Sequence, residues 1–385
     1  MLKKEREFVG DILRQADWVL LLLCLAATGY GIVMIASATN YLHTWRYVVV
    51  QAVAAAIGVA LYFAVSLIDL PTLAQKGWKW LFLFNIGFVL LLLTPFGVAG
   101  DTGNRAWLEF PFLPVKIQPA EVVKLTFIVL FAYQLVWLKE KRGELKSIVS
   151  ISFLIAHLGI LFGLYYVISD DMGSGLVLVF IFICMCFMAG VAWRWFFLGI
   201  LGAAAGFYIL WNEDKIPLYM MDRFRILFDH SYDVKGVGWH QTRSLMTLGG
   251  GKLTGQGLFR GTQTQSEYSW SLPNRHTDFI FSVIGEELGA IGCVVALLLL
   301  AAIVLRCLWT AKNAKSMMEA YVCVGVASML IFQIMANVGM CLFVMPVIGL
   351  TLPFFSYGGS SILTLFMAMG MVSGVQKRSL PDWLK

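Results

Sequence analysis

Long apolar stretches, interrupted by short polar segments, run along nearly the whole chain. A helix needs about 20 apolar residues to cross the roughly 30 Å hydrocarbon core of a bilayer. Ten stretches approach or exceed this length, near 17–38, 47–67, 79–95, 119–138, 147–168, 173–191, 195–211, 277–305, 319–345 and 357–376. The pattern therefore predicts an all-α polytopic membrane protein with ten transmembrane helices.

The charged residues between these stretches predict the topology. If the N-terminus, which contains Lys3, Lys4, Arg6 and Arg14, is cytoplasmic, every second connection should be rich in Lys and Arg,. Those connections contain Lys76 and Lys79, then Lys139, Lys141, Arg142 and Lys146, then Arg194, then Arg306, Lys312 and Lys315, and finally Lys377, Arg378 and Lys385. Both termini are therefore predicted to be cytoplasmic. The large extracellular loop between helices seven and eight, about 212–276, is long enough to escape this rule.

Composition agrees with a membrane protein. The 385 residues are 59% hydrophobic and 14% charged, whereas soluble domains have roughly 25% charged residues. The net charge of +6 lies mostly beside apolar stretches, which favours contact with membrane lipids and gives no support to nucleic-acid binding. The seven cysteines lie in or beside apolar stretches without a CxxC pair, so neither a disulfide framework nor a zinc site is indicated,. Residues 1–385 are expected to form a single transmembrane domain.

Function is expected on the outer side, because the two largest non-membrane segments, 96–118 and 212–276, both lie there. The second contains TLGGGKLTGQGLFRGTQTQ at 247–265, with six glycines. Glycine clusters allow close backbone approach and form anion-binding nests, but a flexible loop has the same composition. Neither a Walker loop nor a dinucleotide fingerprint fits, because no GK[ST] follows at the required spacing and no strand precedes the glycines.

Several ionisable residues lie within or beside apolar stretches, where they are costly and are functional candidates by default. Glu121 and Lys124 are three residues apart, so they are placed to pair on one helix face, as a purely structural ion pair would also be. Asp278 stands in the first turn of predicted helix eight, on the outer side, where helix capping is also a reasonable role. Glu286 lies eight residues further on, roughly 12 Å deeper. These residues alone predict an outward-facing acid with basic neighbours and no particular reaction.

Five motifs, in this order along the chain, resemble those of the SEDS family, which includes RodA, FtsW and SpoVE. They are QPAEVVK (118–124), GTQTQ (261–265), HTDFIF (276–281), EELG (286–289) and PFFSYGGSS (353–361). The resemblance extends from about residue 12 to residue 378, and HTDFIF and PFFSYGGSS are its most specific parts.

The resemblance implies a function. SEDS proteins are peptidoglycan glycosyltransferases that polymerise lipid II, a disaccharide peptide linked through pyrophosphate to a polyprenyl chain, at the outer face of the bacterial cytoplasmic membrane. They work with a class B penicillin-binding protein, which supplies the transpeptidase. By this resemblance Asp278 is the essential acid, and the residues expected to bind substrate are Trp107, Glu121, Lys124, Arg223, Arg243, Gln263, Arg275 and His276.

At several positions the chain departs from the family pattern. Ala120 stands where the family usually has Ser, Asn274 where it has Glu, and Lys252 where it has Gly. These departures leave Asp278 in place and add Lys252 to the cations that are candidates for holding the pyrophosphate.

Polymerisation of lipid II suits a single acid. A sugar hydroxyl attacks the anomeric carbon while pyrophosphate leaves, and exchanging an α-linked leaving group for a β-glycosidic bond requires only one inverting displacement. A glycosidase needs two carboxylates because its alkoxide leaving group must be protonated, whereas one base and cationic stabilisation suffice when pyrophosphate leaves. The sequence requires no cofactor. A divalent cation, Mg²⁺ or Mn²⁺, is a further candidate for sharing the diphosphate charge, although no dedicated ligand cluster is apparent.

Two other functions fit the same helices. A lipid II flippase or transporter would have a polar path through the bundle and a site near the membrane midplane. A non-catalytic scaffold would activate a partner transpeptidase and would keep its function without Asp278.

The sequence also gives three structural expectations about particular acids and glycines. Asp170 or Asp171 is expected to cap a helix at the turn between predicted helices five and six. Glu286 or Glu287 is expected to pair with a basic group across the bundle. Gly289, four residues after Gly285, and Gly325 are expected to allow close approach of a partner's transmembrane helix. The alternative is that such glycines pack the spans of this chain against one another.

Overall fold

The structure is a computed structural model that describes residues 15–100, 104–111, 116–143, 145–213, 218–230, 232–233, 236, 238–268 and 270–379. The basic residues at 3–14 and the C-terminal Lys385, on which the predicted cytoplasmic termini partly rest, lie outside this part of the chain. The helices are α1 Trp18–Thr39, α2 Arg46–Ser66, α3 Leu70–Leu90, α4 Pro119–Arg142, α5 Ile148–Ser169, α6 Met172–Met188, α7 Trp193–Asn212, α8 Leu218–Phe228, α9 Trp239–Gly251, α10 Ile280–Lys312, α11 Met317–Cys341 and α12 Gly359–Ser379. Short 3₁₀ turns, Asn40–Leu42 and Leu91–Leu93, follow α1 and α3, and β1 (Gly97–Val98) pairs antiparallel with β2 (Trp107–Leu108).

Within the described residues, nine helices are long and apolar enough to cross a membrane, namely α1 to α5, α7 and α10 to α12. Helix α6 coincides with the predicted sixth span but has only 17 residues, about 26 Å at 1.5 Å per residue, which is at the short end for a spanning helix. The predicted class, an all-α polytopic membrane protein, is confirmed. The exact number of ten spans stays a prediction.

The third helix begins earlier than its apolar stretch indicated. Helix α3 starts at Leu70, with Pro71 in its first turn, where the fixed φ of proline favours helix initiation. Lys76 and Lys79, which were predicted to lie in a connection, are therefore inside the helix, and both side chains are exposed. Long lysine side chains extend toward water from the ends of membrane helices, so the basic charge still marks the same end of the span.

The bundle packs most tightly where small residues face one another. A Cβ atom added at Gly370 of α12 would lie 2.6 Å from the Tyr62 carbonyl oxygen of α2, and one at Gly58 of α2 would lie 2.6 Å from the Phe366 ring. Glycine therefore lets α2 and α12 approach at backbone distance, the packing mode that replaces the hydrophobic effect inside a membrane. Helix α7, by contrast, has no buried residue and lies at the periphery.

Ion pairs close the bundle at the end opposite to Asp278. Arg306 near the end of α10 donates two hydrogen bonds, of 2.9 and 3.0 Å, to the carboxylate of Asp17 before α1. Arg378 of α12 pairs with Glu319 of α11 at 2.5 Å. Basic residues that the charge pattern assigned to the cytoplasmic side thus also connect helices distant in sequence.

Helix α10 is interrupted at Gly289, which has φ 68° and ψ −168°, a conformation that essentially only glycine adopts. A preceding loop inserts its backbone at this break. The amides of residues 256 and 257 donate to the carbonyls of Glu286 and Glu287, and the amides of residues 290 and 291 donate to the carbonyls of residues 252 and 253, all at 2.9–3.2 Å. The loop therefore replaces the helical hydrogen bonds lost at the break and is tied to the outer half of α10.

Candidate active site on the outer face

The backbone of Asp278 is fixed by a tight turn and by helix α11. The Asn274 carbonyl accepts hydrogen bonds from the Thr277 and Phe279 amides at 3.1 and 3.2 Å, and Asn274 itself has φ 50°, which asparagine tolerates better than most residues. The Asn337 side-chain amide donates to the Asp278 carbonyl at 2.8 Å and to the Leu350 carbonyl at 2.7 Å. Asp278 thus lies just before α10, at the end of this helix that the charge pattern predicts to be the outer end.

The two most specific motifs of the sequence contact each other. The Ser356 hydroxyl donates to the Thr277 carbonyl at 2.6 Å, and the Tyr357 amide donates to the His276 carbonyl at 2.9 Å. Gln51, a fully buried amide on α2, donates to the Ser356 carbonyl and accepts from the Gly358 amide. PFFSYGGSS therefore forms the platform on which HTDFIF rests.

Asp278 has the electrostatics of a general base. Its side chain is half-buried, and burial raises the pKa of its carboxyl from the ordinary 3.8 to about 6. A hydrogen bond from Thr277 acts in the opposite direction, and the negative charge of Asp171 raises the pKa further. The carboxylate is therefore mostly ionised at neutral pH and still has appreciable affinity for a proton.

Asp171 caps helix α6, as expected for one of the two acids at this turn. Its carboxylate accepts from the Ser174 amide at 3.1 Å and from the Ser174 hydroxyl at 2.8 Å. It also accepts from Tyr165 and Gln118, each at 3.1 Å. The turn that bears Asp171 is therefore tied to the start of α4 on the outer side.

Both glutamates inside predicted helix eight hold the GTQTQ loop. The Glu286 carboxylate accepts from the Gln263 amide at 2.7 Å and from the amide and hydroxyl of Thr264 at 2.8 and 2.6 Å. Glu287 accepts from the Ser37 hydroxyl at 2.6 Å, the Gln265 side chain at 2.9 Å, and the amides of Phe259 and Gly261.

The direct partners of Glu286 and Glu287 differ from the basic group that was expected. Within the described residues they are backbone amides, hydroxyls and an amide side chain. Arg275 interacts electrostatically with Glu286 without a direct ion pair, and the accepted hydrogen bonds also stabilise both buried carboxylates. The role is structural, as expected, but its target is a loop.

Arg275 holds the same loop from the other side. Its side chain is 1% exposed, and its guanidinium donates to the carbonyls of Gln263, Thr264, Ser266 and Tyr268. It also lies over the Tyr41 ring, 3.8 Å from the centroid. Arg275, which was predicted to bind substrate, is thus engaged with the protein backbone, and its direct contact with substrate stays a prediction that this geometry does not favour.

Glu121 and Lys124 form the predicted ion pair. The Lys124 Nζ atom lies 2.8 Å from a Glu121 carboxylate oxygen, and the lysine side chain is fully buried. Thr364 of α12 donates to the other carboxylate oxygen at 3.2 Å. The pair therefore connects α4 to α12 inside the bundle, and the predicted contact of either residue with substrate stays a prediction.

The remaining predicted residues lie on several outer elements. Arg223 of α8 donates to the Val347 carbonyl at 2.7 Å, and Arg243 of α9 lies 4.8 Å over the Trp239 ring. The buried Nε atom of Arg243 has no hydrogen-bond acceptor among the described residues. Trp107 lies half-buried in β2.

His276 and Gln263 lie in or beside the segment that carries Asp278. The His276 ring packs edge-on against Tyr47 at 5.0 Å and against Tyr357 at 5.8 Å. Gln263 is part of the loop clamped by Glu286 and Arg275. The structure thus gathers His276, Gln263 and Arg275 around the HTDFIF segment.

Sequence reasoning missed the buried amides that support this segment. Gln51 and Asn337 are both fully buried in apolar helices, and each connects distant parts of the outer face. An isolated amide inside an otherwise apolar span was the available signal, since a polar group at that depth must find a partner.

A helical bundle with a half-buried acid at one end defines this molecule as a multi-pass membrane protein with a polar site at one membrane face. Comparison with known proteins identifies the family to which the chain belongs. The family model described as "Cell cycle protein", for FtsW, RodA and SpoVE, matches residues 17–380. The chain belongs to the FtsW/RodA/SpoVE family.

Individual relatives and solved structures are consistent with this family assignment. The chain is 33% identical over 373 residues to the probable peptidoglycan glycosyltransferase FtsW of Thiomicrospira cyclica, covering 94% of this chain and 91% of the relative. It is 30% identical over 325 residues to the peptidoglycan glycosyltransferase MrdB of Escherichia coli K12, covering 83% of each.

The fold matches RodA of Thermus thermophilus with a TM-score of 0.66 at 25% identity, covering 95% of this chain and 98% of that one. It matches a chain from a study of polymerization and crosslinking by a peptidoglycan synthase complex with a TM-score of 0.78 at 28% identity, covering 95% and 99%.

Proposed function

We propose that this chain is a peptidoglycan glycosyltransferase that polymerises lipid II into glycan strands at the outer face of the bacterial cytoplasmic membrane. One observation carries the proposal: Asp278 lies half-buried at the outer start of α10, on the PFFSYGGSS platform, with a pKa of about 6. Relatives named peptidoglycan glycosyltransferases support it.

In the proposed reaction Asp278 is the general base. The hydroxyl oxygen of the acceptor sugar attacks the anomeric carbon of the donor, and the bond from that carbon to the pyrophosphate oxygen breaks. The electron pair leaves with the pyrophosphate, and the hydroxyl proton passes to the Asp278 carboxylate. This displacement inverts the anomeric carbon and needs no second carboxylate, because the leaving group requires no proton.

The departing pyrophosphate needs positive charge, and Arg243 is the strongest candidate among the outer cations. Its Nε atom is buried without an acceptor in the described part of the chain, so a ligand oxygen would satisfy it. Arg275 and Lys124 are engaged with carbonyls and with Glu121, which makes them weaker candidates.

A divalent cation has no evident protein site here. The described residues contain no group of three or more His, Cys, Asp or Glu side chains that would hold a metal. Mg²⁺ or Mn²⁺, if used, would therefore enter with the pyrophosphate, and the reaction above assigns it no step.

We further propose that a class B penicillin-binding protein is the partner. The chain resembles one whose study concerns a peptidoglycan synthase complex. Such a partner would dock through its transmembrane helix on the lipid-facing surface of the bundle.

The test is reconstitution. The purified full-length protein is placed in liposomes with lipid II, with and without a class B penicillin-binding protein whose transpeptidase is blocked by penicillin, and glycan strands are separated by gel electrophoresis. We expect strands from the wild type and none from Asp278→Asn. Movement of fluorescent lipid II across the bilayer without strand formation would support a flippase. A wild type that makes no strands, but that activates an unblocked partner transpeptidase as well as Asp278→Asn does, would support a scaffold. Either outcome would overturn the proposal.

A further inference from the structure

A cavity of about 420 Å³ lies beside the HTDFIF segment. Tyr41, Trp239, His240, Trp270, Asn274 and His276 are among the residues that line it. Its volume falls within the roughly 300–1,000 Å³ of typical small-molecule sites. The cavity is therefore large enough for a ligand and is part of the outer face.

The aromatic side chains of this cavity have fixed orientations and remain accessible. The Trp239 indole N–H donates to the Trp270 carbonyl at 3.0 Å. The Trp270 ring stacks on Tyr268 with centroids 4.7 Å apart and an interplanar angle of 25°. Trp270 is 56% exposed and Tyr268 is 61% exposed. An exposed aromatic ring that lines a cavity, such as Trp270 stacked on Tyr268, suits a ligand that itself has a flat apolar face,.

The charges of the cavity disfavour a phosphate ligand. Among its described lining residues only Arg275 carries a permanent charge, and that guanidinium is already bonded to loop carbonyls. Burial lowers the pKa of His240, and the positive charge of Arg223 acts in the same direction, which favours the neutral imidazole. The cavity therefore offers aromatic faces and neutral hydrogen-bonding groups, and it suits an uncharged polar ligand.

The cavity and Asp278 share a wall. His276, which lines the cavity, lies two residues before Asp278, and Phe279, the residue after it, stacks with the His240 ring at 6.1 Å and 29°. The Asp278 side chain does not itself line the cavity. A ligand held here would extend from the site of bond formation without contacting the base.

We propose that this cavity is a saccharide subsite that holds sugar rings of the glycan strand away from the bond being formed. This inference rests on the proposed function. The C–H face of a pyranose ring packs on an aromatic ring, and its hydroxyl and acetamido groups suit the His240 imidazole and the Asn274 amide. A strand held at this distance stays bound between additions, so the subsite makes the enzyme processive.

The test compares Trp270→Ala and Trp270→Phe with Trp45→Ala, which removes another exposed tryptophan (71% exposed) that does not line the cavity. Binding of a β-1,4-linked N-acetylglucosamine tetrasaccharide is measured by saturation-transfer NMR, and strand length is measured by gel electrophoresis. Loss of one stacking contact of about 0.5–1.5 kcal/mol predicts roughly two- to tenfold weaker binding by Trp270→Ala. We expect shorter strands from this variant, recovery of both properties by Trp270→Phe, and wild-type behaviour by Trp45→Ala.

Several results would overturn the subsite. These are no tetrasaccharide binding by the wild type, unchanged binding and strand length for Trp270→Ala, or an equal loss for Trp45→Ala, which would assign these tryptophans to the membrane interface. If Trp270→Ala binds the saccharide normally but no longer co-purifies with the partner protein, the surface around Trp270 is a protein-contact surface. The proposed function is tested separately: it would be overturned if the wild type makes no strands from lipid II. Saccharide binding is measured independently of strand synthesis, so failure of the subsite can be distinguished from failure of the proposed function.

Discussion

At the scale of single residues, the decisive property of Asp278 is that hydrogen bonds to its backbone hold its carboxyl group in a half-buried position. Asn337 fixes its carbonyl from α11, and Ser356 fixes the preceding residue from the PFFSYGGSS segment. Burial then raises the pKa to about 6. A base with such a pKa removes protons effectively near neutral pH, where it is still largely ionised.

Asp278→Asn should abolish polymerisation while leaving the protein folded. Asparagine is nearly isosteric with aspartate and the Asp278 side chain does not cap α10, so the main loss is proton acceptance. A general base contributes about 10²–10⁴-fold to rate, and a loss of that size is expected in the lipid II assay, with a melting temperature no lower than that of the wild type. Near-normal strand synthesis by this variant would remove Asp278 from the mechanism.

The pKa of Asp278 predicts a pH dependence of activity. The base must be ionised, so the rate should be constant above about pH 7 and should fall roughly tenfold per pH unit below about pH 6,. The rate is measured with lipid II in liposomes between pH 5 and pH 8. A rate that stays constant down to pH 5 would contradict the assignment.

The same pKa predicts a pH-dependent difference in stability. The folded-state pKa of about 6 exceeds the ordinary 3.8, so ionisation of Asp278 destabilises the folded protein as the pH rises between these two values. Asp278→Asn should therefore melt at a higher temperature than the wild type above about pH 6, and the gap should vanish near pH 4. A difference in melting temperature that does not change with pH would show that the difference does not arise from the ionisation of Asp278.

The Glu121–Lys124 pair offers a test of role by double substitution. Lys124→Met alone leaves a buried carboxylate unpaired, which costs about 3–5 kcal/mol, whereas Glu121→Gln with Lys124→Met removes both charges and should restore the melting temperature. If Lys124 contacts substrate, as the family resemblance implies, the double variant should remain inactive despite its restored melting temperature. Recovery of polymerisation by the double variant would make the pair purely structural.

At the scale of elements, the interruption of α10 organises the outer face. The loop inserted at Gly289 leads directly into the GTQTQ segment, which Glu286, Glu287 and Arg275 clamp from two sides. The break therefore converts one long helix into a membrane span and a short outer arm that carries Asp278 at its start.

Gly289→Ala should disrupt this arrangement. A Cβ atom there would lie 2.3 Å from the Leu253 carbonyl oxygen and 2.4 Å from the Gly255 amide nitrogen, and the positive φ adds strain of about 1–3 kcal/mol. We expect a lower melting temperature and loss of polymerisation. Gly29→Ala on α1 is the control, since its Cβ meets nothing within 4 Å and alanine favours a helix. Equal behaviour of the two variants would show that the break is dispensable.

At the scale of the whole molecule, both glycines expected to receive a partner helix are used within the chain. Gly289 contacts the inserted loop, and a Cβ at Gly325 would lie 2.7 Å from Ile128 and 2.9 Å from Met185. The expected docking through these two glycines is therefore wrong. Helix α10 still presents a lipid-facing stripe, formed by Ile291, Val294, Val295, Leu298 and Leu305.

Leu298→Trp should weaken co-purification with a class B penicillin-binding protein, because a bulky ring on this stripe prevents close packing of a second helix. Leu201→Trp on the peripheral α7 is the matched control, since the two leucines are similarly exposed, at 63% and 56%. Both variants should keep the wild-type melting temperature, whereas Gly325→Leu should lower it. Equal partner retention by Leu298→Trp and Leu201→Trp would place the docking surface elsewhere.

By itself, the sequence determined the features that depend on local pattern. Apolar length identified a polytopic helical bundle, spacing of three residues paired Glu121 with Lys124, and position at a turn predicted that Asp170 or Asp171 caps a helix. The order of motifs singled out Asp278 and its outer location. The bundle, the ion pair and the cap follow from helix geometry and from the cost of polar groups in a bilayer, whereas the role of Asp278 is implied by the family resemblance.

Only the tertiary structure decided how the outer site is held together. Glu286 and Glu287 bind a loop about 22 to 28 residues earlier in the chain, and Gln51 binds Ser356 across 305 residues. Arg275, which has the sequence signature of an exposed cation, instead satisfies loop carbonyls, and Gly289 accommodates an inserted backbone. A buried polar group takes whichever partner the fold brings within hydrogen-bonding distance, and residue spacing along the chain does not specify that partner.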